Sequence, residues 1–570
     1  MKNSRNRRFS AIFSAFALIL CGCIVADAVP GERTAIESQR PNILLIVADD
    51  LGYFDLGSFG SEIRTPNLDA LARSGVRFRN FRAAPTCALS RAMLMSGTDN
   101  HLAGVGAQFN RGAQEGAPGY ERYLSRRVAA LPEVLRAAGY HTYMAGKWHL
   151  GVEEEQSPAA RGFESSFAML LGAGSHFDLT PPGPREAARG LYRENGKLIE
   201  RLPAGFYSAN TYTDKMLGYI KANVRDGKPF FAYMAYTSPH WPLQAPNDYI
   251  NRYKGRYDEG YDRLRLNRVV RAKAVGSIPK EIDGNAYRVA AAPWDSLSPA
   301  ARARESRMME IYAAMVENLD MNVGRLLAYL KSSDQMKNTV VIFMSDNGAD
   351  QLHTEDMPAN IEWIRQTADN RLENLGRVGS FASYGLGWAS ASTAPWNGFK
   401  GMVMDGGIRV PAFVSYPSFA LRDRWSDSFL TIQDVAPSVI ELARAEHPSV
   451  HDPKILPMRG KSFISELKGT TNSTHSVAEG FGWEASGSRA LIRDGWKVVR
   501  EVPVPPQDKP VWQLFDLRKD PMELHDRSVD MPERLTELVA AYEMYAKETG
   551  VVPIEPEHDR GPPDTAHRAR

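Results

Sequence analysis

Short apolar runs alternate with amphipathic stretches along most of this chain. The runs that predict buried strands cover residues 43–47, 230–236, 340–344 and 410–414. The stretches with helical spacing cover residues 128–138, 212–222, 307–330 and 432–443. Strands that are apolar on both faces and alternate with helices are typical of a parallel sheet covered by helices on both sides. The pattern therefore predicts an α/β fold, in which ligands bind beyond the carboxyl ends of the strands.

The pattern changes after about residue 470. Short apolar segments separated by turns predict a small antiparallel sheet, and residues 535–545 predict a helix that follows it. Residues 245–300, rich in Tyr, Arg, Gly and Pro, are predicted to be irregular. The domains expected from these changes are a large domain over residues 38–470, a C-terminal α+β subdomain over residues 471–555 and a disordered tail over residues 556–570.

The first residues have the pattern of an export signal. A basic stretch precedes an apolar run over residues 9–20, which is short for a membrane span, since spanning needs ~20 apolar residues. The A-x-A motif at residues 26–28 would make residues 1–28 a cleaved signal peptide. The sequence before Cys23 also resembles a lipoprotein box, which would end the signal at Gly22 and place a lipid anchor on Cys23. Both interpretations predict a periplasmic or secreted protein.

Composition and charge exclude several other classes of protein. Hydrophobic residues make up 43% of the chain and charged residues 24%, which argues against a wholly disordered protein. Lys and Arg together exceed Asp and Glu by two, and the predicted signal segment alone carries a net charge of +3. The remaining chain is nearly neutral, which gives no support for nucleic-acid binding. After the signal segment, no uninterrupted apolar run reaches the length of a membrane span.

The cysteine content makes Cys87 a candidate functional residue. The chain has three cysteines, Cys21, Cys23 and Cys87, and cleavage after Ala28 would leave Cys87 alone. A single exported thiol cannot form an internal disulfide, so the fold must depend on its core. Cys87 is then either a buried bystander, which is the usual fate of a free cysteine, or a residue whose sulfur takes part in chemistry.

Oxygen-bearing side chains follow two of the predicted strands. Asp49 and Asp50 end the first strand, and Asp346 and Asn347 end the strand over residues 340–344. Adjacent carboxylates repel each other unless a cation or hydrogen bonds neutralise them. Four oxygen donors without a nearby cysteine pair favour a hard divalent ion, Ca²⁺ or Mg²⁺. The alternative is that these residues are helix caps or turn formers.

Positively charged and imidazole side chains occur in loops that this fold would bring near the same edge. A helix predicted to start near Ser90 would place Cys87 beside a helix N-terminus, where Arg91 can reach back toward an oxyanion such as sulfate or phosphate. The alternative is a capped helix with a buried cysteine and a surface arginine. In an extended stretch, Lys147 and His149 would point the same way and could bind an anion together.

Two further loops add one candidate residue each. His240 follows the strand over residues 230–236, and Lys400 precedes a Gly-Gly turn and a strand. A lone His or Lys on a loop usually has no function. These two matter only if they join the other cations around an anion next to a metal.

Together these residues resemble the type I sulfatases of the alkaline phosphatase-like superfamily, over roughly residues 40–530. The segment over residues 87–97 (CALSRAMLMSG) is the specific signature. Stretches shared more widely across the superfamily are residues 42–52, 65–69, 146–151, 293–297, 345–348 and 406–411. The resemblance implies a large, mixed and mainly parallel sheet sandwiched by helices. It also implies a hydrolase that cleaves sulfate esters.

The family resemblance assigns roles to the candidate residues. It implies that Cys87 is oxidised to formylglycine by a maturation enzyme, and that the hydrate of this aldehyde is the nucleophile. It implies Ca²⁺ rather than Mg²⁺ in a site that includes residue 87. The residues that would hold the ion with it are Asp49, Asp50, Asp346 and Asn347. One departure from the family pattern is Leu89, where most members have the proline that belongs to the sequence read by the modifying enzyme.

The remaining roles complete a predicted mechanism. Arg91 would steady the nucleophile, and Asp346 would help to activate it. The residues that would bind sulfate and move protons are Lys147, His149, His240 and Lys400. Of these, His240 is expected at the leaving oxygen and His149 is expected to act as the base that releases sulfate.

Several alternatives remain open at this point. An aryl sulfate is the first expectation for the substrate, and a sulfated carbohydrate is the second. The same machinery could instead cleave phosphonate monoesters or phosphodiesters. If Cys87 stays a thiol, the chain is predicted to be a non-catalytic protein that binds an anion or a carbohydrate.

Overall fold

A computed structural model describes residues 40–183, 191–286, 291–356, 358–419, 421–502 and 510–554. The predicted signal segment, the lipid anchor at Cys23 and the predicted C-terminal tail lie outside the described residues. Within the described ranges, none of the helices combines the length and the apolar content needed to cross a membrane.

The strands are β1 (Asn42–Ala48), β2 (Val76–Phe78), β3 (Phe81–Arg82), β4 (His141–Lys147), β5 (Ser165–Met169), β6 (Tyr192–Glu194), β7 (Lys197–Leu198), β8 (Phe230–Ala235), β9 (Thr339–Ser345), β10 (Ala412–Ser415), β11 (Arg424–Ser426), β12 (Leu430–Thr431), β13 (Phe481–Ala485), β14 (Ser488–Arg493), β15 (Trp496–Arg500) and β16 (Gln513–Asp516). The α-helices are α1 (Pro66–Ser74), α2 (Cys87–Ser96), α3 (Leu131–Ala137), α4 (Ser208–Ala222), α5 (Asn247–Asn251), α6 (Gly260–Val275), α7 (Pro299–Ser332), α8 (Pro358–Thr367), α9 (Gly385–Thr393), α10 (Asp405–Ile408), α11 (Val435–Ala443), α12 (Ile464–Leu467) and α13 (Pro532–Thr549).

One large mixed sheet organises the molecule. Its strands lie in the order β11-β2-β10-β9-β1-β8-β4-β5-β6-β7. The central strands β9, β1, β8, β4 and β5 are parallel to one another, whereas β10, β6 and β7 join through antiparallel pairings. The predicted mainly parallel α/β sheet is confirmed. Because β9, β1 and β8 are adjacent and parallel, the loops that follow them meet at one edge.

The position of strand β1, covered on both faces of the sheet, explains why its sequence is apolar throughout. Leu44 and Ile46 pack into the core on one face of the sheet, and Ile43, Leu45 and Val47 pack into the core on the other face. Helix α7 lies in the first core and helices α2 and α11 lie in the second. Alternate side chains of a strand point to opposite faces, so a strand covered on both sides must be apolar at every position.

One expectation about the local structure of a long segment was wrong. Residues 245–300 were expected to be irregular, but they contain helices α5 and α6. In α6, Arg268 is fully buried and forms ion pairs with Asp55 at 2.7 Å and Glu62 at 2.9 Å. A helix whose buried face carries an ion-paired arginine lacks the apolar spacing that sequence patterns detect.

The C-terminal sheet is antiparallel, as predicted, and contains four strands in the order β13-β14-β15-β16. Helix α13 packs on it through Leu538, Ala541 and Tyr542. The other face of the sheet contributes Trp483 and Val499 to the core beside α2. The small sheet is therefore continuous with the packing that supports the large one.

His101 joins the loop after α2 to the C-terminal sheet and provides a pH-dependent prediction. Its Nδ1 lies 2.8 Å from Asp99 and its Nε2 lies 3.4 Å from Glu484 on β13. Burial opposes the charged form, but the two carboxylates outweigh it and raise the pKa of His101 to about 9. Protonated His101 therefore stabilises the folded state fully below about pH 6.5, the unfolded value, and this contribution is lost as the pH rises through about 9.

Chemical denaturation at a series of pH values measures this effect. We expect the free energy of unfolding to fall by up to ~3 kcal/mol more between pH 6.5 and pH 9.5 in the wild type than in His101→Asn. His451→Asn is the matched control, because His451 is exposed. Equal pH slopes in the wild type and His101→Asn would contradict the prediction.

Candidate active site

The candidate metal ligands meet at the carboxyl ends of β1 and β9. Ala48 pairs with Ser345 in the register of the two strands, so the pairs Asp49-Asp50 and Asp346-Asn347 follow at the same level. The Asp50 N–H donates to Asp346 Oδ1 at 3.2 Å, and the Asp346 N–H donates to the Ala48 carbonyl at 3.1 Å. The adjacency expected from the two strand ends is present in the fold.

Asp50 is the centre of the cluster. Its backbone has φ = 63°, a left-handed conformation that aspartate and asparagine tolerate better than most residues. Its Oδ1 accepts a hydrogen bond from Asn347 Nδ2 at 2.7 Å and lies 3.6 Å from Cys87 Sγ. Its Oδ2 accepts from Lys400 Nζ at 2.7 Å and lies 3.4 Å from His240 Nε2. One carboxylate thus contacts the thiol, an amide, an ammonium and an imidazole.

Cys87 is the first residue of α2, so the helix begins three residues before the predicted start near Ser90. Every residue of α2 is buried, and Cys87 is 1% exposed. Burial, followed by the charge of Asp346, raises the pKa of the thiol well above its usual value. The side chain in this structure is therefore a neutral thiol, which is a poor nucleophile.

Arg91 lies one turn after Cys87 and points into the cluster. Its Nε and Nη2 donate to Asp346 Oδ2 at 3.0 and 2.7 Å, and its Nη1 donates to the Lys147 carbonyl at 3.0 Å. Arg91 is fully buried, so the alternative of a surface arginine is wrong. Although burial opposes ionisation, Arg91 and Lys147 hold the pKa of Asp346 below its usual value.

Lys147 and His149 are both placed near the site, but their backbone conformations differ. Lys147 ends β4, and its Nζ donates to both oxygens of Asp49 at 2.9 and 2.7 Å. The expectation that the two side chains share a face of an extended stretch was wrong, because His149 has φ = 57°. His149 is still close enough for burial and the charges of Lys147 and Arg91 to lower its pKa well below the usual value. Its Nδ1 is buried and lacks a hydrogen-bond partner.

His240 and Lys400 form a pair beside Asp50. The His240 Nε2 lies 3.1 Å from Lys400 Nζ, and its Nδ1 lies 2.6 Å from the Trp241 carbonyl. A carbonyl can only accept, so Nδ1 carries the proton and Nε2 accepts from Lys400. Burial and the charges of Lys400 and Lys147 lower the pKa of His240. Burial opposes the charge on Lys400, but Asp350 and Asp50 raise its pKa.

Asp350 and Trp241 belong to the site but were not singled out from the sequence. Asp350 Oδ2 accepts from Lys400 Nζ at 3.1 Å and from Trp241 Nε1 at 3.0 Å. Both residues line a small pocket next to Asp50 and His240. Their positions carried a usable signal, because Asp350 follows Asn347 in the loop after β9 and Trp241 adjoins His240.

The donor set fits a divalent cation. Asp49, Asp50, Cys87 and His240 place ligand atoms within 4.8 Å of one another. The Asn347 Oδ1 is buried and has no hydrogen-bond partner, which leaves an oxygen donor free for an ion. Buried carboxylates and an amide oxygen suit a hard ion. In this structure the ammonium groups of Lys147 and Lys400 neutralise Asp49 and Asp50.

The fold and the site together define a hydrolase of the alkaline phosphatase-like class. A model of the sulfatase family matches residues 41–445. An uncharacterised sulfatase of Schizosaccharomyces pombe is 43% identical over 537 residues, which cover 90% of this chain and 95% of that protein. An arylsulfatase of Klebsiella aerogenes is 38% identical over 448 residues, covering 77% of this chain and 94% of that protein. The chain belongs to the sulfatase family and is a sulfuric ester hydrolase.

A solved structure agrees with this assignment. The crystal structure of Ps i-CgsB in complex with a neocarrahexaose superposes with a TM-score of 0.63 at 25% identity. The match covers 91% of this chain and 96% of that one. The predicted alkaline phosphatase-like architecture is therefore confirmed.

Proposed function

We propose that this protein hydrolyses aryl sulfates to a phenol and inorganic sulfate, using formylglycine made from Cys87 and a bound Ca²⁺. The observation that carries the proposal is the position of Cys87. Its sulfur lies 3.6 Å from Asp50, at the first residue of a buried helix and among the lysines of the cluster. A neutral buried thiol cannot attack an ester efficiently, so this position calls for a modified side chain.

The hydrated aldehyde would supply two hydroxyls on one carbon. One would bond to sulfur as the phenolate leaves, and the other would lose its proton so that the carbon–oxygen bond breaks and sulfate departs. The carboxylate that contacts residue 87 is Asp50. Asp346, which the sequence suggested for this task, instead has its oxygens engaged by Arg91 and by the Asp50 N–H. Asp50 is therefore our choice for the proton acceptor on the attacking hydroxyl.

The residues that would hold Ca²⁺ are Asp49, Asp50, Asp346 and Asn347, together with residue 87. When bound, the ion would act as a Lewis acid on the sulfate oxygens. Asn347 supports this assignment because its Oδ1 is buried without a partner. Both lysines would then be free to offset charge on the sulfate group, since the ion would take over the neutralisation of Asp49 and Asp50.

Lys400 is the best candidate to donate a proton to the leaving oxygen. His240 was the first expectation for this role, but its Nε2 accepts from Lys400 and its pKa is lowered. Lys400 keeps its charge and can donate to the phenolate oxygen. His149, neutral and with a free Nδ1, is suited to take the proton that releases sulfate.

An aromatic substrate is supported by the pocket beside the cluster. Trp241 packs on His240 with ring centroids 4.7 Å apart and on Phe381 at 6.0 Å. Half-buried aromatic side chains of this kind stack on aryl rings. A sulfated carbohydrate remains the second candidate, because the structural neighbour Ps i-CgsB was solved with a carrageenan-type oligosaccharide.

The cellular setting completes the proposal. The basic and apolar pattern of the first 28 residues supports export to the periplasm or beyond, by signal cleavage or with a lipid on Cys23. A maturation enzyme that oxidises Cys87 is a required partner. A boundary near residue 470, between a large domain and a C-terminal subdomain, is also part of the proposal.

Co-expression with a formylglycine-generating enzyme tests the proposal. We expect the peptide containing residue 87 to show, by mass spectrometry, the loss of one sulfur and two hydrogens and the gain of one oxygen. We also expect hydrolysis of 4-nitrophenyl sulfate to rise in proportion to that conversion, and to exceed the rate on the matched phosphonate monoester. Active protein with an intact thiol, or a higher rate on the phosphonate, would overturn the proposal.

Leu89→Pro is the matched comparison for maturation. Leu89 lies in the first turn of α2, where the backbone N–H has no partner within the helix, so proline removes no helical hydrogen bond. If Leu89 slows conversion, the variant will show a larger converted fraction and the same rate per converted molecule.

A further inference from the structure

The turn that carries Lys400 lies between the loop after β9 and the segment that leads into α2. The Lys400 N–H donates to the Ala349 carbonyl at 3.0 Å, and the Gly401 N–H donates to the Pro85 carbonyl at 2.8 Å. Ala349 follows the Asp346-Asn347 pair, and Pro85 precedes Cys87 by two residues. The backbone of this turn therefore sets where the long Lys400 side chain starts.

The C-terminal part of the chain holds this turn from the other side. The Glu501 Oε1, just after β15, accepts hydrogen bonds from the N–H groups of Val403 at 2.7 Å and Met404 at 3.1 Å. The Glu523 Oε2 accepts from the Asp405 N–H at 2.7 Å. Three consecutive backbone donors after Lys400 are thus bound by two carboxylates that the large sheet does not supply.

A buried ion cluster fixes one of these carboxylates. Lys497 on β15 lies 2.6 Å from Glu523 and 3.0 Å from Asp405. Arg82 pairs with the other oxygen of Asp405 at 2.7 Å. All four side chains are at most 2% exposed. Charges buried this deeply are costly to separate, so the cluster keeps the end of the turn in one place.

We propose that Glu501 and Glu523 are positioning residues through which the C-terminal sheet sets the placement of Lys400 for the reaction. This inference rests on the proposed role of Lys400 as the donor to the leaving oxygen. The Lys400 side chain has four rotatable bonds, so its ammonium reaches Asp50 and His240 reproducibly only if its backbone is held. The small sheet would then contribute to catalysis without touching the substrate.

The positioning role can be measured from how the rate of hydrolysis depends on the basicity of the leaving group. A well-placed ammonium helps most when the departing phenolate is a strong base and least when it is a weak base. If the Lys400 ammonium is no longer held in place, the hydrolysis of phenyl sulfate should therefore slow more than the hydrolysis of 4-nitrophenyl sulfate. Simple destabilisation of the fold would reduce the folded fraction and lower both rates by the same factor.

Glu501→Ala is the test variant, and Glu501→Gln is the conservative one. Both bonds to the turn end on one oxygen of Glu501, and the amide oxygen of glutamine can accept both. Glu484→Ala is the matched control, because Glu484 is a buried carboxylate on β13 of the same sheet that bonds to Gly487 and His101 instead of the turn. Melting curves confirm that each variant is folded before rates are measured.

We expect Glu501→Ala to lower kcat on phenyl sulfate ~10- to 100-fold and on 4-nitrophenyl sulfate only a few-fold. Glu501→Gln should restore the wild-type ratio of kcat on phenyl sulfate to kcat on 4-nitrophenyl sulfate. Glu484→Ala should keep that ratio even if its melting temperature falls. In a Lys400→Ala background, Glu501→Ala should add little, since both changes remove the same interaction.

The outcomes separate this inference from the proposed function. If Lys400→Ala alone leaves the ratio of the two rates unchanged, the proposed role of Lys400 is wrong. If Lys400→Ala changes the ratio but Glu501→Ala lowers both rates equally, the positioning role is wrong and the role of Lys400 stands.

Discussion

Replacing Cys87 with alanine is expected to abolish sulfatase activity while leaving the fold intact. The proposed nucleophile is made from this side chain, and removal of a nucleophile costs on the order of 10⁶-fold in kcat in well-studied hydrolases. The stability change should be small, about 1–2 kcal/mol, because the substitution deletes one buried sulfur atom. Rates on 4-nitrophenyl sulfate and thermal melting measure the two effects on the same sample.

Ser96→Ala is the matched control for this experiment. Ser96 lies at the other end of α2, is buried, and uses its hydroxyl to bond the Ala92 carbonyl within the helix. Its removal should cost comparable stability and leave activity within a few-fold of wild type. Residual activity of Cys87→Ala above about one-hundredth of wild type would show that chemistry does not pass through residue 87.

Asp50→Asn is expected to cause the second largest loss, at least ~10³-fold in kcat/KM. The variant keeps the shape of the side chain, and asparagine tolerates the φ of 63°. Lys400 keeps Asp350 as a partner, so the protein should fold. What disappears is the negative charge that contacts residue 87 and would bind the cation.

Metal binding provides a readout that does not depend on activity. Ca²⁺ should raise the melting temperature of the wild-type protein, because a ligand that binds only the folded state stabilises it. The shift should be absent in Asp50→Asn, and metal analysis of the purified variant should find substoichiometric Ca²⁺. Asp423→Asn is the control, since Asp423 also has a positive φ of 47° but is exposed. An unchanged shift in Asp50→Asn would exclude Asp50 as a ligand.

The metal-binding edge could be predicted from the sequence because it depends on strand order alone. Runs that are apolar at every position indicate strands buried on both faces, and oxygen-bearing residues directly after two such strands are brought together once the strands are neighbours. The structure shows β1 and β9 paired in register, so Asp50 and Asp346 are in contact.

The rest of the site depends on features that residue patterns do not encode. His149 has a left-handed backbone conformation, which the hydrophobic periodicity of the sequence does not predict. Asp350 contacts Lys400, and Glu501 contacts the turn after it, across long sequence separations. Helix α6 was missed because its buried face carries an arginine that two carboxylates neutralise, and this compensation is visible only in three dimensions.

The burial of Cys87 restricts when it can be chemically altered. With 1% of its surface exposed, in a helix whose ten residues are all buried, the thiol is out of reach of another enzyme's catalytic groups. If Cys87 is oxidised as we propose, the oxidation must therefore come first, while the segment is still extended, and collapse of the core second. Protein that folds with sulfur still in place would be a dead-end product, and adding the oxidising enzyme afterwards would not rescue it without unfolding.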